Sequence, residues 1–345
     1  MSVFYYKENM GLFWKFIAER HEIYKRKELQ NLPPPWTKDP ILADFKFTNI
    51  FRELDRGTRF VTEWLQKQEY VDDASFFFNH VLYRLFNKIE TFLYHGHMPD
   101  YRKYDQEGLR LRLLNLSANE NVFTNAFTVS GYSMFGFGMD KITRISLLLG
   151  QITDQLNDDE KSGCLRDAFD KSMEECYYYL RSIQGIGPFL GYQIAVDLSY
   201  SDRTKFGEDD FVIDGPGAKR GLHELFTEKT IEDNGYEELN YWLRNNQLKN
   251  SRLYDVDFLK TFEDQPYPYL TVMSLENCLC EFSKYMKAYE DRGRPRNRYM
   301  SRDGWARSID ANRDVSWKPA QWTFNKYNKP ANMLHVAKIL GVHNG

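Results

Sequence analysis

The sequence predicts an all-α protein. Apolar residues recur at three- and four-residue spacing along most of the chain, and strand-like alternation is scarce. A 42% hydrophobic content with 16% aromatics supplies a core and excludes a disordered chain. No internal repeat or low-complexity tract divides the 345 residues, so one mainly helical domain over 1–345 is expected. The formal charge of −3 is close to neutral, which leaves any nucleic-acid affinity to a local basic patch. Cys164, Cys176, Cys278 and Cys280 form no C-x-x-C pair, so thiols in a reducing compartment are expected rather than a zinc site. Met1 to Lys7 begin no unbroken apolar run of signal-peptide length, and no apolar run reaches the roughly 20 residues that cross a bilayer. A soluble, cytoplasmic protein with no membrane partner is the expectation.

The elements follow in order. Phe13, Phe16, Ile17 and Arg20 open an amphipathic helix that ends near Lys27. Pro33-Pro34-Pro35-Trp36 is a stiff connector. Thr37 and Asp39 ahead of Pro40 and Ile41 combine capping oxygens with a proline suited to a first helical position. A helix over 49–68 would place Ile50, Leu54, Phe60 or Val61 and Leu65 in apolar rows. Further helices are expected over 75–92, 105–118, 140–157, 164–183, 188–198, 237–247, 275–289 and 330–340. Gly131 to Gly138 reads as a glycine-punctuated loop.

Within this helical frame, Leu180-x-x-Ile183-x-Gly185-Ile186-Gly187 reads as two helices joined by a Gly-x-Gly turn, spanning 172–198. Leu180 and Ile183 would pack beneath the turn, and Gly191 and Ile194 would let the second helix lie close to the first. Such a turn exposes backbone N–H groups at a helix start, a natural seat for a phosphate. The alternative is an ordinary helix–helix turn capped by glycines. Further on, Phe211-Val-Ile213 delivers a carboxylate, Asp214, onto a loop.

On the expected 49–68 helix, Asn49, Arg52, Arg56 and Arg59 would share one cationic face, with Asp55 in reach of Arg52 and Arg59. Such an array suits phosphate capture, or is a solvated face laced by ion pairs. The segment 291–302 carries Arg292, Arg294, Arg296, Arg298 and Arg302 among Gly and Tyr and is suited to DNA phosphates. Gly215-Pro-Gly217-Ala-Lys219-Arg220-Gly221 lacks the Gly-x-x-x-x-Gly-Lys-Ser/Thr spacing, so nucleoside-triphosphate binding is not expected there and a kinase activity is not expected of this chain. Lys219 and Arg220 are expected to approach DNA or a substrate phosphate. His95 and His97 read as satisfied histidines, with His223 a weak candidate for proton transfer.

The hairpin, the small residue at Gly191 and the apolar-Asp214 run resemble the helix-hairpin-helix DNA glycosylase superfamily over roughly 160–225. That resemblance implies that Gly185, Ile186 and Gly187 grip the DNA backbone and that Asp214 meets a flipped nucleotide. The sequence departs from the family at Phe189, where lyase-type members carry a lysine, and in the Gly-Pro-Gly that follows Asp214.

Pro33–Leu42, the block Phe47–Arg59, and Asn121-Val-Phe-Thr124-Asn125-Ala126-Phe127 with Gly131 are similar to the viral thymine-hypermodification proteins termed α-glutamyl/putrescinyl thymine pyrophosphorylases, some described as amino acid:DNA transferases. Related helical domains are fused to 5-hydroxymethyluracil DNA kinases. The resemblance spans about residues 30–310 and implies a transferase acting after such a kinase. It would displace phosphate from phosphorylated 5-hydroxymethyluracil in double-stranded DNA with an amino acid or amine donor, protecting a viral genome inside an infected bacterium. Asp214, Asp55 and Arg56 are then the expected catalytic residues. Asn49, Arg52, Arg59 and Lys219 would hold the substrate phosphate, and Arg220, Arg294, Arg296 and Arg298 would join the hairpin in binding DNA. No cofactor is expected, and metal dependence stays open. A DNA glycosylase or a non-catalytic DNA-binding module are the alternatives.

Overall fold

The computed structural model describes residues 4–124, 138–295 and 298. Among these the fold is all-α, with fifteen helices and no strand beyond the isolated bridges Tyr6–Phe226 and Phe45–Arg298. The described residues divide into two units, one of 4–55 with 211–295 and 298, the other of 56–124 with 138–210. In chain order, α1 (Asn9–Tyr24) and α2 (Pro40–Asp44) belong to the first unit. The second unit holds α3 (Arg56–Glu63), α4 (Asp73–Phe86), α5 (Ile89–His95), α6 (Gln106–Ser117), α7 (Lys141–Leu156), α8 (Asp159–Asp170), α9 (Met173–Ser182) and α10 (Pro188–Ser199). The chain then returns to the first unit with α11 (Pro216–Leu225), α12 (Glu228–Asn234), α13 (Tyr236–Leu253), α14 (Phe258–Thr261) and α15 (Val272–Tyr289). The expected helix over 330–340, the glycines from Gly131 to Gly136, and Asn125, Ala126, Phe127, Arg296 and Arg302 lie outside the described residues.

Local chemistry sets many of the boundaries. Asp39 accepts from the N–H groups of Ile41 (2.8 Å) and Leu42 (2.9 Å), and Pro40 occupies the first turn of α2, as its sequence predicts. Asp105 and Asp140 cap α6 and α7 in the same way. The segment expected as one helix over 164–183 is two, because Ser172 and Glu175 form a reciprocal capping box that starts α9. Likewise the 75–92 segment breaks at Asn87, whose φ of 49° ends α4 in the left-handed region.

The expected helix over 49–68 also divides. Arg52–Leu54 form a single 3₁₀ turn, Asp55 is extended (ψ 137°), and α3 begins only at Arg56. The side chains compete for the backbone here. Asp55 accepts the Asn49 N–H (3.0 Å), and the Asn49 amide donates to the Leu54 carbonyl (3.0 Å). A shared face for Asn49, Arg52, Arg56 and Arg59 therefore does not form.

In the first unit, Phe13 and Phe16 of α1 pack on Phe282 of α15, and Trp14 meets Phe258. Against α15 lies α11, at very short range. A Cβ on Gly217 would stand 3.2 Å from Cys280 Cβ, and one on Gly221 would strike the Leu279 carbonyl, with the carbonyl carbon at 2.8 Å. These glycines thus serve helix packing. The second unit is built around Phe76, Phe77 and Phe78 of α4, all buried. Across its core Arg84 makes a bidentate pair with Asp197 of α10, the Nε–Oδ2 distance being 2.5 Å.

Candidate functional site

The hairpin comes from α9, the turn over 183–187 and α10. Leu180, Ile183 and Ile186 are buried beneath it, whereas Gly187, Pro188 and Phe189 are exposed, Phe189 at 48%. Gly185 has φ +99°, where a side chain would be strained and would also collide with Leu148 of α7. Gln155 of α7 clamps the turn from behind. Its Oε1 accepts the Gln184 N–H (2.9 Å) and its Nε2 donates to the Gln184 carbonyl (3.2 Å). Gly187 caps α10 with no side chain of its own, and a Cβ on Gly191 would stand only 3.3 Å from Arg181 Cδ of α9, so the close approach read from the sequence is present. A fixed, exposed start of a twelve-residue helix results.

The second feature lies in the first unit. Phe211 and Val212 are buried and anchor the loop that carries Asp214 to the start of α11. Asp214 accepts a hydrogen bond from the Asn240 amide, and Asn240 is itself fully buried on α13. Burial raises the Asp214 carboxyl to about 6; the Lys219 cation and the Asn240 bond hold it back, and Glu237 adds to the rise. Lys219 is exposed on α11, with its ammonium 4.8 Å from the centre of the Tyr236 ring. Arg220 is exposed beside it.

α15 supplies the neighbouring chemistry. Glu276 Oε1 accepts the Gly215 N–H at 3.2 Å, immediately after Asp214. Burial raises the Glu276 carboxyl to about 7, with Gly215 lowering it, Asp214 raising it, Arg52 lowering it and Glu281 raising it. Asn277 donates to the Asn49 carbonyl and to Thr48 Oγ1, both at 3.1 Å, and Glu281 Oε2 accepts the Thr48 N–H at 3.3 Å. Asp55 is likewise raised to about 6 by burial, against the Asn49 hydrogen bond and the Arg52 and Arg20 charges, with Glu281 adding to the rise. Arg20 reaches the Phe47 carbonyl (2.8 Å) and Asn49 Oδ1 (3.1 Å) from α1.

Asn49, Arg52, Asp55, Asp214 and Lys219 are therefore linked in one polar cluster of the first unit. Arg56 and Arg59 belong to the second unit and are paired there, Arg56 with Glu90 (2.9 Å) and Arg59 with Glu63 (2.8 Å). The basic segment is compensated as well. Arg292 pairs with Glu224 (2.5 Å), Arg294 with Asp291 (2.7 Å) and Arg298 with Asp44 (3.4 Å). His223 is held between Glu228 (2.9 Å) and the Tyr236 hydroxyl (3.0 Å), and His95 contacts the Gly96 carbonyl. Among the described residues no group of three or more His, Cys, Asp or Glu is arranged to hold a metal ion. Sequence reasoning missed Glu276, Asn277 and Glu281. Their signal is a polar stripe on a helix whose other face is continuously apolar.

The model of the 5-hmdU DNA kinase helical domain (5-hmdU, 5-hydroxymethyldeoxyuridine) matches residues 7–294. The chain belongs to this family. It is also similar to a 5-hmdU DNA kinase of Bacillus phage SP10, with 26% identity over 294 residues. That match covers 79% of this chain but 44% of the phage protein, so the chain spans under half the length of the relative. No solved structure matches.

This membership corrects the expected family. The chain is not assigned to the amino acid:DNA transferases or pyrophosphorylases, nor placed after a kinase as a consumer of phosphorylated 5-hydroxymethyluracil and an amine. Its helical domain is that of the kinase family itself. The motifs behind the expectation lie within residues 7–294, the stretch that the kinase-family helical domain matches. The expectation of no kinase activity, drawn from the missing phosphate-loop spacing at Gly215–Gly221, does not stand against membership of a kinase family.

Proposed function

We propose that this chain serves the phosphorylation of 5-hydroxymethyldeoxyuridine in DNA, as the part that handles the modified nucleotide. In this reading the hydroxymethyl oxygen attacks the terminal phosphorus of a nucleoside triphosphate. The new O–P bond forms as the bond to the leaving diphosphate breaks, and the hydroxyl proton passes to the Asp214 carboxylate. Little covalent work falls to the protein in such a transfer, so positioning and charge placement dominate. The hydroxymethyl base is the substrate here, and the triphosphate brings its own counter-cation.

The observation that carries the reading is Asp214. It is a carboxylate held at a loop by Asn240, with a proton affinity raised to about 6, within one polar cluster with Arg52 and Lys219. A base of that strength is ionised at neutral pH yet basic enough to help a hydroxyl lose its proton. Family membership supplies the substrate class. The α9–α10 hairpin supports the DNA part of the proposal, as a helix-hairpin-helix of glycosylase type whose exposed helix start receives a backbone phosphate. Gly217 and Gly221 face α15, so the triphosphate is not assigned to that segment. The reading places the protein in the cytoplasm of a phage-infected bacterium; no described helix is long and apolar enough to cross a membrane.

The test uses duplexes that differ by hydroxymethyluracil or thymine at one position. The chain is mixed with each duplex and a terminally labelled nucleoside triphosphate, with magnesium, and both binding and label transfer are followed. Preference for the hydroxymethylated duplex, with label and a phosphate-sized mass gain on that nucleoside, is the expected result. Equal binding of both duplexes without transfer refutes the proposal.

A further inference from the structure

The cluster contains a carboxyl group to which neither the sequence reading nor the proposed transfer gives a role. We propose that Glu276 is a positioning residue for Asp214, pinning the Asp214–Gly215 loop through the Gly215 N–H. This inference rests on the reading of Asp214 as the proton acceptor, but its structural part can be tested without that reading.

Three features of the geometry carry it. Glu276 Oε1 lies 3.2 Å from the Gly215 nitrogen, in a hydrogen bond between residues 61 positions apart. That bond ties the loop to α15, a helix immobilised by its packing on α1 and α11. Second, Gly215 begins α11, so the position of its amide sets where the preceding carboxylate enters the cluster. A Cβ at Gly215 would stand only 3.3 Å from the same Oε1, so the close seat depends on the glycine. Third, Asp214 has a separate tether in Asn240, and the side chain and the following amide are thus held from two different helices. Two such anchors fix a reacting oxygen far better than one.

The charges around Glu276 come from three elements. Asp214 approaches it from the loop and Arg52 from the 3₁₀ turn, while Cys278, Cys280, Glu281 and Lys284 lie within electrostatic range on its own helix. Burial and the Asp214 charge together leave its carboxyl at about 7, above that of Asp214. The two carboxyls are coupled, and the pair holds a proton beyond the ordinary carboxylate range. A neutral carboxyl still accepts the Gly215 N–H through its carbonyl oxygen. As the pH rises through about 7, Glu276 ionises and places a second negative charge beside the base.

The experiment compares Glu276→Gln and Glu276→Ala in the full chain. Glutamine retains the carbonyl acceptor and cannot ionise; alanine removes the acceptor. Amide hydrogen exchange at Gly215 is the first readout. Loss of one hydrogen bond in E276A should speed it roughly 5- to 10-fold, with E276Q recovering the wild-type rate. Equal Gly215 exchange in E276A and wild type overturns the proposal whether or not phosphate transfer is seen. The second readout is the pH profile of transfer to hydroxymethylated DNA. E276A should lose rate across the range, E276Q should recover it, and wild type should fall below E276Q as the pH rises from about 7 to 9. E276Q as inactive as Asp214→Asn at every pH would make Glu276 the proton acceptor itself and overturn the positioning role. Absence of transfer by wild type, with the exchange result as expected, would sink the kinase reading and leave the anchor standing.

Discussion

Replacing Asp214 by asparagine should make the protein more stable at alkaline pH while disabling it. The wild-type carboxyl has its value raised by burial from 3.8 to about 6. A raised value means that the folded state holds the proton more tightly than the unfolded chain does. The resulting stabilisation is fully present below pH 3.8 and is lost as the pH climbs through about 6. About two units at 1.36 kcal/mol each set the loss at roughly 3 kcal/mol, complete by pH 7.5. Asparagine is nearly isosteric, accepts the Asn240 amide through its own carbonyl, and does not titrate. The difference in unfolding free energy, variant minus wild type, should therefore grow by about 2–3 kcal/mol between pH 4 and pH 8. Urea unfolding followed by circular dichroism at the two pH values measures it directly. If phosphate transfer requires this base, the same variant should lose about 100-fold or more in rate. Parallel stability curves for the two proteins, or a variant less stable than wild type at pH 8, would show that burial does not govern this carboxyl.

The α11–α15 contact gives a second test. Gly221→Ala should destabilise by about 1–3 kcal/mol because its methyl meets backbone rather than a mobile side chain, whereas Gly163→Ala, in the open on α8, should be neutral or stabilising by up to about 1 kcal/mol; thermal unfolding of the two side by side decides. In the second unit, Arg84→Met should cost about 3–5 kcal/mol, because it leaves Asp197 buried without its partner. The double variant Arg84→Met with Asp197→Leu should recover much of that loss in urea unfolding. Gly185→Ala should cost about 1–3 kcal/mol from its positive φ and the Leu148 collision; it should also weaken DNA binding in a titration, and unchanged affinity would detach the hairpin from DNA.

How much of this was legible depended on where the deciding interaction lay. Caps at Asp39, Asp105 and Asp140 act within three residues; the helices after Asp105 and Asp140 were read almost to the residue, and for α2 only its start at Pro40 was. The break at Asn87 was not, because the apolar pattern from Phe76 to Phe92 runs straight across it. Ser172 and Glu175 carried a readable capping box that the periodicity of the flanking segments obscured. The helix α11 was missed for a tertiary reason. Gly217 and Gly221 are poor helix formers, yet their lack of a side chain is what admits α15. Asp214 was singled out from the apolar run before it, but Glu276 was not, since a polar stripe on a helix gives no sign of a glycine amide 61 residues earlier in the chain. The reaction was the least legible level. The motifs at Pro33–Leu42 and Phe47–Arg59 were read as those of a transferase, yet they lie within the stretch that the kinase-family helical domain matches.

The charge balance around Asp214 suggests why a carboxylate so near a helix start is not a stronger acid. The start of α11 favours a negative charge, by up to roughly 1 kcal/mol at an exposed site. Burial outweighs it here, and the available cations are divided. Arg20 is engaged by the Phe47 carbonyl and Asn49, and Lys284 pairs with Glu281. Arg52 and Lys219 then stand beside three raised carboxyls, Asp55, Asp214 and Glu276. Burial outweighs these cations, together with the Arg20 charge that also lowers Asp55, so all three carboxyls hold a proton beyond the ordinary carboxylate range. Phosphate transfer should accordingly rise with pH through about 6, as Asp214 becomes ionised. A rate indifferent to pH between 5 and 7 would mean that the hydroxyl proton leaves by another path.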